Sequence, residues 1–219
     1  MSDVIKKYQD IISSIKSKLE NEKKESFPKI IAVTKTFKLE KIQPLLDYGH
    51  IDYGENKVQE AIEKWTDIKL KMPQIKIHLI GKLQSNKVKI ALRLFDYIHS
   101  VDNKKLAKKI SDEQFKTNKK IKIFIQVNIG KENQKSGIDS NNLFDLYNYC
   151  KELDLNVVGL MCIPPLNDEP DKYFKEMKVL KSKLNLPELS MGMSADYLNA
   201  VMQSSTYLRI GSSIFGNRS

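Results

Sequence analysis

Cysteine is scarce in this sequence. Cys150 and Cys162 are the two in 219 residues, too few for a disulfide framework or a metal-ligand cluster. They suit a reducing cytoplasm. No second histidine or cysteine stands at metal-ligand spacing from His78, so no metal is expected. Arginine is scarce too, although Lys and Arg together number 37 against 27 acidic residues, a net charge of +10. There is no arginine-rich arm, zinc signature or RNP-like aromatic motif. The lysines are scattered among glutamates and aspartates, as on a solvated surface. The excess charge also suits phosphorylated ligands. No stretch is apolar for long enough to span a bilayer, and Met1 to Lys7 leads into mixed polar sequence without an apolar signal core. The expectation is a soluble, cytoplasmic protein without membrane or specific nucleic-acid partners. No linker, low-complexity stretch or extended repeat marks a second domain. A hydrophobic content of 41% suits one large core.

What is present is an alternation of strands and helices. Ser2 or Asp3 caps a helix to about Glu22, with apolar residues from Val4 to Leu19 at helical spacing. Strands follow at Ile30–Val33, Ile51–Tyr53, Ile75–Ile80, Tyr97–Val101, Ile121–Val127, Val157–Met161, Glu188–Ser190 and Thr206–Ile210. The clearest is the fifth, where Ile121, Ile123, Ile125 and Val127 alternate with Lys122, Phe124 and Gln126. Between them lie helices near 39–48, 57–68, 86–94, 103–115, 141–153, 172–184 and 195–202. Pro44 inside the first of these predicts a break or kink, and Gly49 a stop. Asp102 or Asn103 caps the fourth, and Ser194 caps the last.

Strands alternating with helices imply a parallel sheet with crossovers. About eight such units, without a G-x-G-x-x-G, favour a closed (β/α)₈ barrel over an open doubly wound sheet. The domain reading is one barrel over residues 1–219. Its lead helix would fill the outer position left where the chain stops soon after the last strand.

The polar residues at strand ends converge on the C-terminal face, where barrels of this kind place their sites. KIIAVTKTF puts Lys35 just past the first strand. It is either a solvated strand end or an amine made easier to deprotonate by a closed cavity. A neutral lysine amine forms Schiff bases with carbonyls. Asn56 follows strand two and reads either as a helix cap or as a ligand contact. Ser100, Asp102, Asn128 and Met161 fall on the same rim. LSMGMSAD and RIGSS place Ser190, Ser194, Gly211 and Ser212 in two turns rich in small residues. Helix starts and such turns attract anions. Arg209 could meet a phosphate, an outer acidic residue or a ligand ring. His78 reads more readily as a packed histidine than as a catalyst.

The chain resembles the pyridoxal-phosphate homeostasis proteins, the YggS/PROSC group that binds pyridoxal 5'-phosphate (PLP). The resemblance rests on AVTKTF, YGENKVQE, HLIGKLQSNK, HSVD, IQVNIGKENQKSG, GLM, LSMGMSAD and LRIGSSIFGNR, in family order. It implies a barrel related to the N-terminal domain of bacterial alanine racemase. By that comparison Lys35 is the Schiff-base lysine and Asn56 is the asparagine of the GEN motif. Ser190, Ser194, Gly211 and Ser212 belong to the phosphate loops, and Arg209 lies beside the cofactor ring. The chain departs from the common pattern at Thr34, Lys57, Lys82 and Ser204.

The resemblance implies intracellular PLP buffering or delivery, with PLP-dependent apoenzymes as candidate partners, without catalytic turnover. The competing reading is a PLP-dependent racemase-like enzyme. Racemisation needs a second acid/base opposite the lysine. Alanine racemases take it from an additional domain that these 219 residues do not show, so a non-catalytic carrier is expected. A monomer is also expected, because a barrel buries its own core.

Overall fold

The computed structural model describes residues 2–24, 26–132 and 134–216. Asn133, Asn217 and Arg218, which belong to two of the family-like stretches, lie outside the described residues. The strands are β1 (Lys29–Val33), β2 (Asp52–Glu55), β3 (Lys76–Leu79), β4 (Tyr97–Val101), β5 (Lys122–Val127), β6 (Asn156–Cys162), β7 (Glu188–Met193) and β8 (Tyr207–Ile210). Each pairs in parallel with the next. β8 closes on β1, with Ile30 opposite Leu208 and Ile31 opposite Arg209. The sheet is therefore the expected (β/α)₈ barrel and not an open one.

The helices are α1 (Asp3–Asn21), α2 (Leu39–Asp47), α3 (Val58–Lys71), α4 (Val88–Leu94), α5 (Lys104–Thr117), α6 (Leu143–Glu152), α7 (Pro170–Lys183), α8 (Tyr197–Met202) and α9 (Ser212–Phe215). Ser2 caps α1 by accepting the Ile5 N–H, and Val4, Ile5, Tyr8, Ile11, Ile15 and Leu19 form its buried stripe. That stripe packs against α2, α8 and α9. α9 is only one turn long, so α1 covers the outer flank that a full eighth crossover helix would cover.

The two faces of each strand meet different surroundings, as the pleat requires. Ile30, Ala32, Ile123, Ile125 and Val127 pack outward beneath the helices. Ile31, Tyr97, Phe124, Met161 and Tyr207 form a separate cluster inside the barrel. The interior also holds His78, His99, Ser190 and Arg209, all buried.

Several boundaries differ from the sequence expectations. α2 continues through Pro44 without a break. Proline lacks the N–H that would bond four residues back, so α2 loses one early bond and is held by burying Ile42, Leu45 and Leu46. Gly49 does stop it, at φ 88°. Asn103, not Asp102, caps α5, accepting the Leu106 N–H at 2.8 Å. β7 runs past Ser190 to Met193, so α8 starts only at Tyr197. Ser194 is therefore not its cap; Asp196 holds the cap position. Among the described residues no helix is long and apolar enough to cross a membrane.

Candidate functional site

A cavity of about 820 Å³ opens at the C-terminal end of the strands. Lys35, Asn56, Ser194, Arg209, Gly211 and Ser212 all line it. The structure thus brings six of the expected residues to one wall system. Ser190 is not among them.

Lys35 is placed by a buried brace behind β1. Glu55 is fully buried, and its Oε1 accepts Thr34 Oγ1 at 2.7 Å, Lys64 Nζ at 2.9 Å and Trp65 Nε1 at 2.9 Å. Lys64 also donates to the Thr34 carbonyl at 2.8 Å. Both the side chain and the peptide oxygen of the residue before Lys35 are thereby tied to α3. The chain then turns sharply: Thr36 has φ 68°, and the Phe37 N–H returns to the Thr34 carbonyl at 3.1 Å. Phe37 packs on Phe215 with ring centroids 5.1 Å apart, fixing this turn to α9.

The opposite turns are tied to each other. Ser194 Oγ accepts the Ser213 N–H at 3.3 Å, joining the β7–α8 turn to α9. The Met193 N–H donates to Asp196 Oδ1 at 2.6 Å. The bond from Ser213 is what occupies Ser194 in place of the expected helix cap. Short helix starts and glycine turns leave backbone N–H groups without helical partners, which is the chemistry an anion needs.

Arg209 is 4% exposed and still lines the cavity. Its Nη1 donates to Ser190 Oγ at 2.9 Å and its Nη2 to the Cys162 carbonyl at 2.8 Å. Burial lowers its pKa, but a guanidinium keeps its proton. Ser190 lies one layer below the cavity, wholly buried between Arg209 and His99. His78 is packed, stacked on Tyr97 at 4.3 Å, and bonded to both His99 and Asp52. Burial, opposed by Asp52, pushes the His78 pKa down. Burial, then His78 and Arg209, pushes that of His99 well down. Burial raises both thiols to about 12, so Cys150 and Cys162 stay protonated and inert.

Sequence reasoning missed His99, Gln126 and the segment 134–136. Gln126 lines the cavity and donates to the Ser136 carbonyl at 3.0 Å. Lys135 reaches the Pro164 carbonyl at 3.0 Å and Glu132 at 2.6 Å. The available signal was pleat parity: Gln126 shares the inward face with Phe124, and His99 with Tyr97. Lys82 also lines the cavity. Ser100 and Asp102 are loop braces, bonded to the Gly81 carbonyl and the Gly137 N–H. Asn128 holds Glu132 through two bonds, and Met161 is core.

The family model for the alanine racemase N-terminal domain matches residues 12–219. The pyridoxal phosphate homeostasis protein of Aquifex aeolicus is 39% identical over 204 residues, covering 89% of each chain. That of Escherichia coli K12 is 36% identical over 199 residues, covering 86% of this chain and 85% of its own. The solved structure of PipY from Synechococcus elongatus with PLP bound matches at 33% identity and a TM-score of 0.80, over 92% of this chain and all of that one. Alanine racemase of Clostridium difficile matches at 16% identity and a TM-score of 0.71, over 94% of this chain and 55% of its own, a likeness of fold. Carried by its own barrel and by these matches, the chain belongs to the alanine racemase N-terminal domain family, among the pyridoxal phosphate homeostasis proteins.

Proposed function

We propose that this protein binds PLP in the C-terminal cavity, holds it through Lys35, and serves to buffer or deliver it in the cytoplasm. The observation that carries this reading is the convergence of Lys35, Arg209 and the two serine-glycine turns on one cavity. The residues fit the group in charge and chemistry: an amine for an aldehyde, small-residue turns for a phosphate, and a buried cation for a ring nitrogen. The names of the relatives and the PLP-bound PipY structure support the same ligand.

Bound PLP supplies an aldehyde that condenses reversibly with an amine, and a ring that withdraws electrons. Lys35, on a turn fixed at Thr34, would supply that amine. Ser194, Gly211 and Ser212 would hold the phosphate, and Asn56 would border the ring. Arg209, a donor that keeps its proton, would face the ring nitrogen and keep it unprotonated, which would weaken electron withdrawal. Among the described lining residues there is no Tyr, His, Asp or Glu. The amines there besides Lys35 are Lys82 and Lys135, and Lys135 is engaged by Glu132. Of these, an amine such as Lys82 is the kind of group that could serve as the second acid/base racemisation needs; the names of the relatives, pyridoxal phosphate homeostasis proteins, support a carrier over an enzyme.

The test is the absorption spectrum of the purified protein before and after borohydride reduction, followed by peptide mapping. The expected result is a reduced pyridoxyl group on Lys35, lost in Lys35→Ala with the fold intact. A protein that takes up no PLP overturns the assignment; a label on another lysine overturns the role of Lys35.

A further inference from the structure

Inside the barrel, four hydrogen bonds join Arg209 to Asp52 through three side chains: Arg209 Nη1 to Ser190 Oγ at 2.9 Å, Ser190 Oγ to His99 Nδ1 at 2.9 Å, His99 Nε2 to His78 Nδ1 at 3.0 Å, and His78 Nε2 to Asp52 Oδ1 at 2.9 Å. His78, His99 and Ser190 are fully buried. Asp52 opens β2 at the end of the barrel opposite the cavity, with 13% of its side chain exposed. Among the described residues no carboxylate pairs directly with Arg209.

The ends of this row dictate its proton order. A guanidinium can only donate, and a carboxylate can only accept. Ser190 Oγ takes a hydrogen from Arg209, so its own single proton goes to His99 Nδ1. His99 then carries its proton on Nε2 and gives it to His78 Nδ1. His78 likewise carries its proton on Nε2 and gives it to Asp52. A neutral imidazole has one donor and one acceptor nitrogen, so every link is satisfied with both histidines neutral. The reverse order would require a second buried cation at His78. It would also leave the Ser190 proton without either of its partners in the row.

We propose that Ser190, His99 and His78 form a one-way hydrogen-bond relay, anchored on Asp52, that positions Arg209 while leaving its charge undiluted toward the cavity. A touching carboxylate would orient the guanidinium equally well but would neutralise it at the site. The relay instead puts the compensating negative charge at the far end of the barrel. Ser190 is thus a positioning residue and not a phosphate ligand. Only the identity of what Arg209 faces rests on the PLP reading; the proton order belongs to the chain itself.

The decisive experiment is long-range proton–nitrogen correlation NMR on nitrogen-15-labelled, PLP-free protein, which reads each imidazole's tautomer. His78 and His99 are expected to be neutral with the proton on Nε2. A proton on Nδ1 of His99, or a doubly protonated His78, overturns the relay. Ser190→Ala is expected to shift the His99 Nδ1 resonance strongly and that of His78 less, with His50 unmoved. An unmoved His99 overturns the link. If Ser190→Ala does not fold, Asp52→Asn approaches from the other end and is expected to shift His78, with His99 following. Adding PLP to the wild type is expected to move His99 and His78, although neither lines the cavity. Ser190→Ala is expected to release PLP roughly tenfold faster, as loss of a charged hydrogen bond implies. PLP that binds without moving either histidine overturns the coupling. Failure of PLP to bind at all counts against the proposed function, and the tautomers then decide the relay alone.

Discussion

A Cβ atom at Gly81 would lie 2.3 Å from the carbonyl oxygen of Asn56. The end of β3 is thus packed flush against the backbone that carries Asn56 into the cavity. Lys57 holds the cap position of α3 and makes no side-chain cap bond, so Asn56 is positioned by this backbone contact and not by capping. Gly81→Ala must push the Asn56 peptide aside. Overpacking of this kind costs about 1–3 kcal/mol. The expected outcome is a lower urea midpoint together with weaker PLP retention. Gly49→Ala is the comparison: Gly49 has φ 88° and open space around it. It should lose stability through backbone strain alone, with PLP titration unchanged.

Replacing Arg209 separates charge from shape. Arg209→Gln keeps an uncharged NH₂ donor on a shorter side chain and removes the cation. Loss of a charge-assisted bond costs about 1.5–3 kcal/mol. The ring nitrogen of bound PLP would then be free to protonate. We expect an altered cofactor spectrum, weaker PLP binding and faster exchange of an amino acid's α-proton with deuterated solvent. Spectrophotometric titration and a deuterium wash-in assay with alanine check this. Unchanged affinity and spectrum would show that Arg209 does not restrain the cofactor.

The brace behind Lys35 makes a stability prediction. Glu55 Oε1 serves Thr34, Lys64 and Trp65 together. Glu55→Ala takes the acceptor from the Trp65 N–H and the counter-charge from the Lys64 ammonium, which is 14% exposed and keeps the Thr34 carbonyl. Breaking a buried pair costs about 3–5 kcal/mol. Denaturant unfolding should show a loss of that size. Double replacement of Glu55 and Lys64 by apolar residues should cost less than the sum of the single changes. Additive losses would mean the two side chains do not act as a unit.

Much of this architecture was readable because it is local. The alternation of Ile121, Ile123, Ile125 and Val127 exposes a pleat directly, and a lysine or arginine at a strand end can be assigned to a barrel face without knowing its neighbours. The role of Ser190 was not readable, because it depends on depth. A register irregularity between Ser190 and Met193 breaks the simple alternation of β7, and its partner His99 is 91 residues away in sequence. Ser194 misled for a related reason. Serine before a helical run is a common cap signal, but no N–H of α8 donates to its Oγ, which instead accepts the Ser213 N–H that the pairing of β7 with β8 brings near.

The histidines predict how stability varies with pH. All three histidines, His50, His78 and His99, have lowered pKa values in the fold, with burial the first cause in each. In the unfolded chain each titrates near its ordinary value of about 6.5. Below that value the unfolded state binds more protons than the folded one, so acid favours unfolding and stability rises with pH. Each histidine contributes up to about 1.4 kcal/mol per pH unit between about 6.5 and its lower folded pKa, and nothing further well above 6.5. Urea midpoints should therefore be flat from pH 8 to about 7 and fall steeply from about 6.5 to 5.5. His99→Gln, whose amide can both donate and accept, should make that fall shallower without abolishing it. A fall of undiminished slope in His99→Gln would mean that carboxylate titration, not burial of neutral imidazoles, governs acid unfolding.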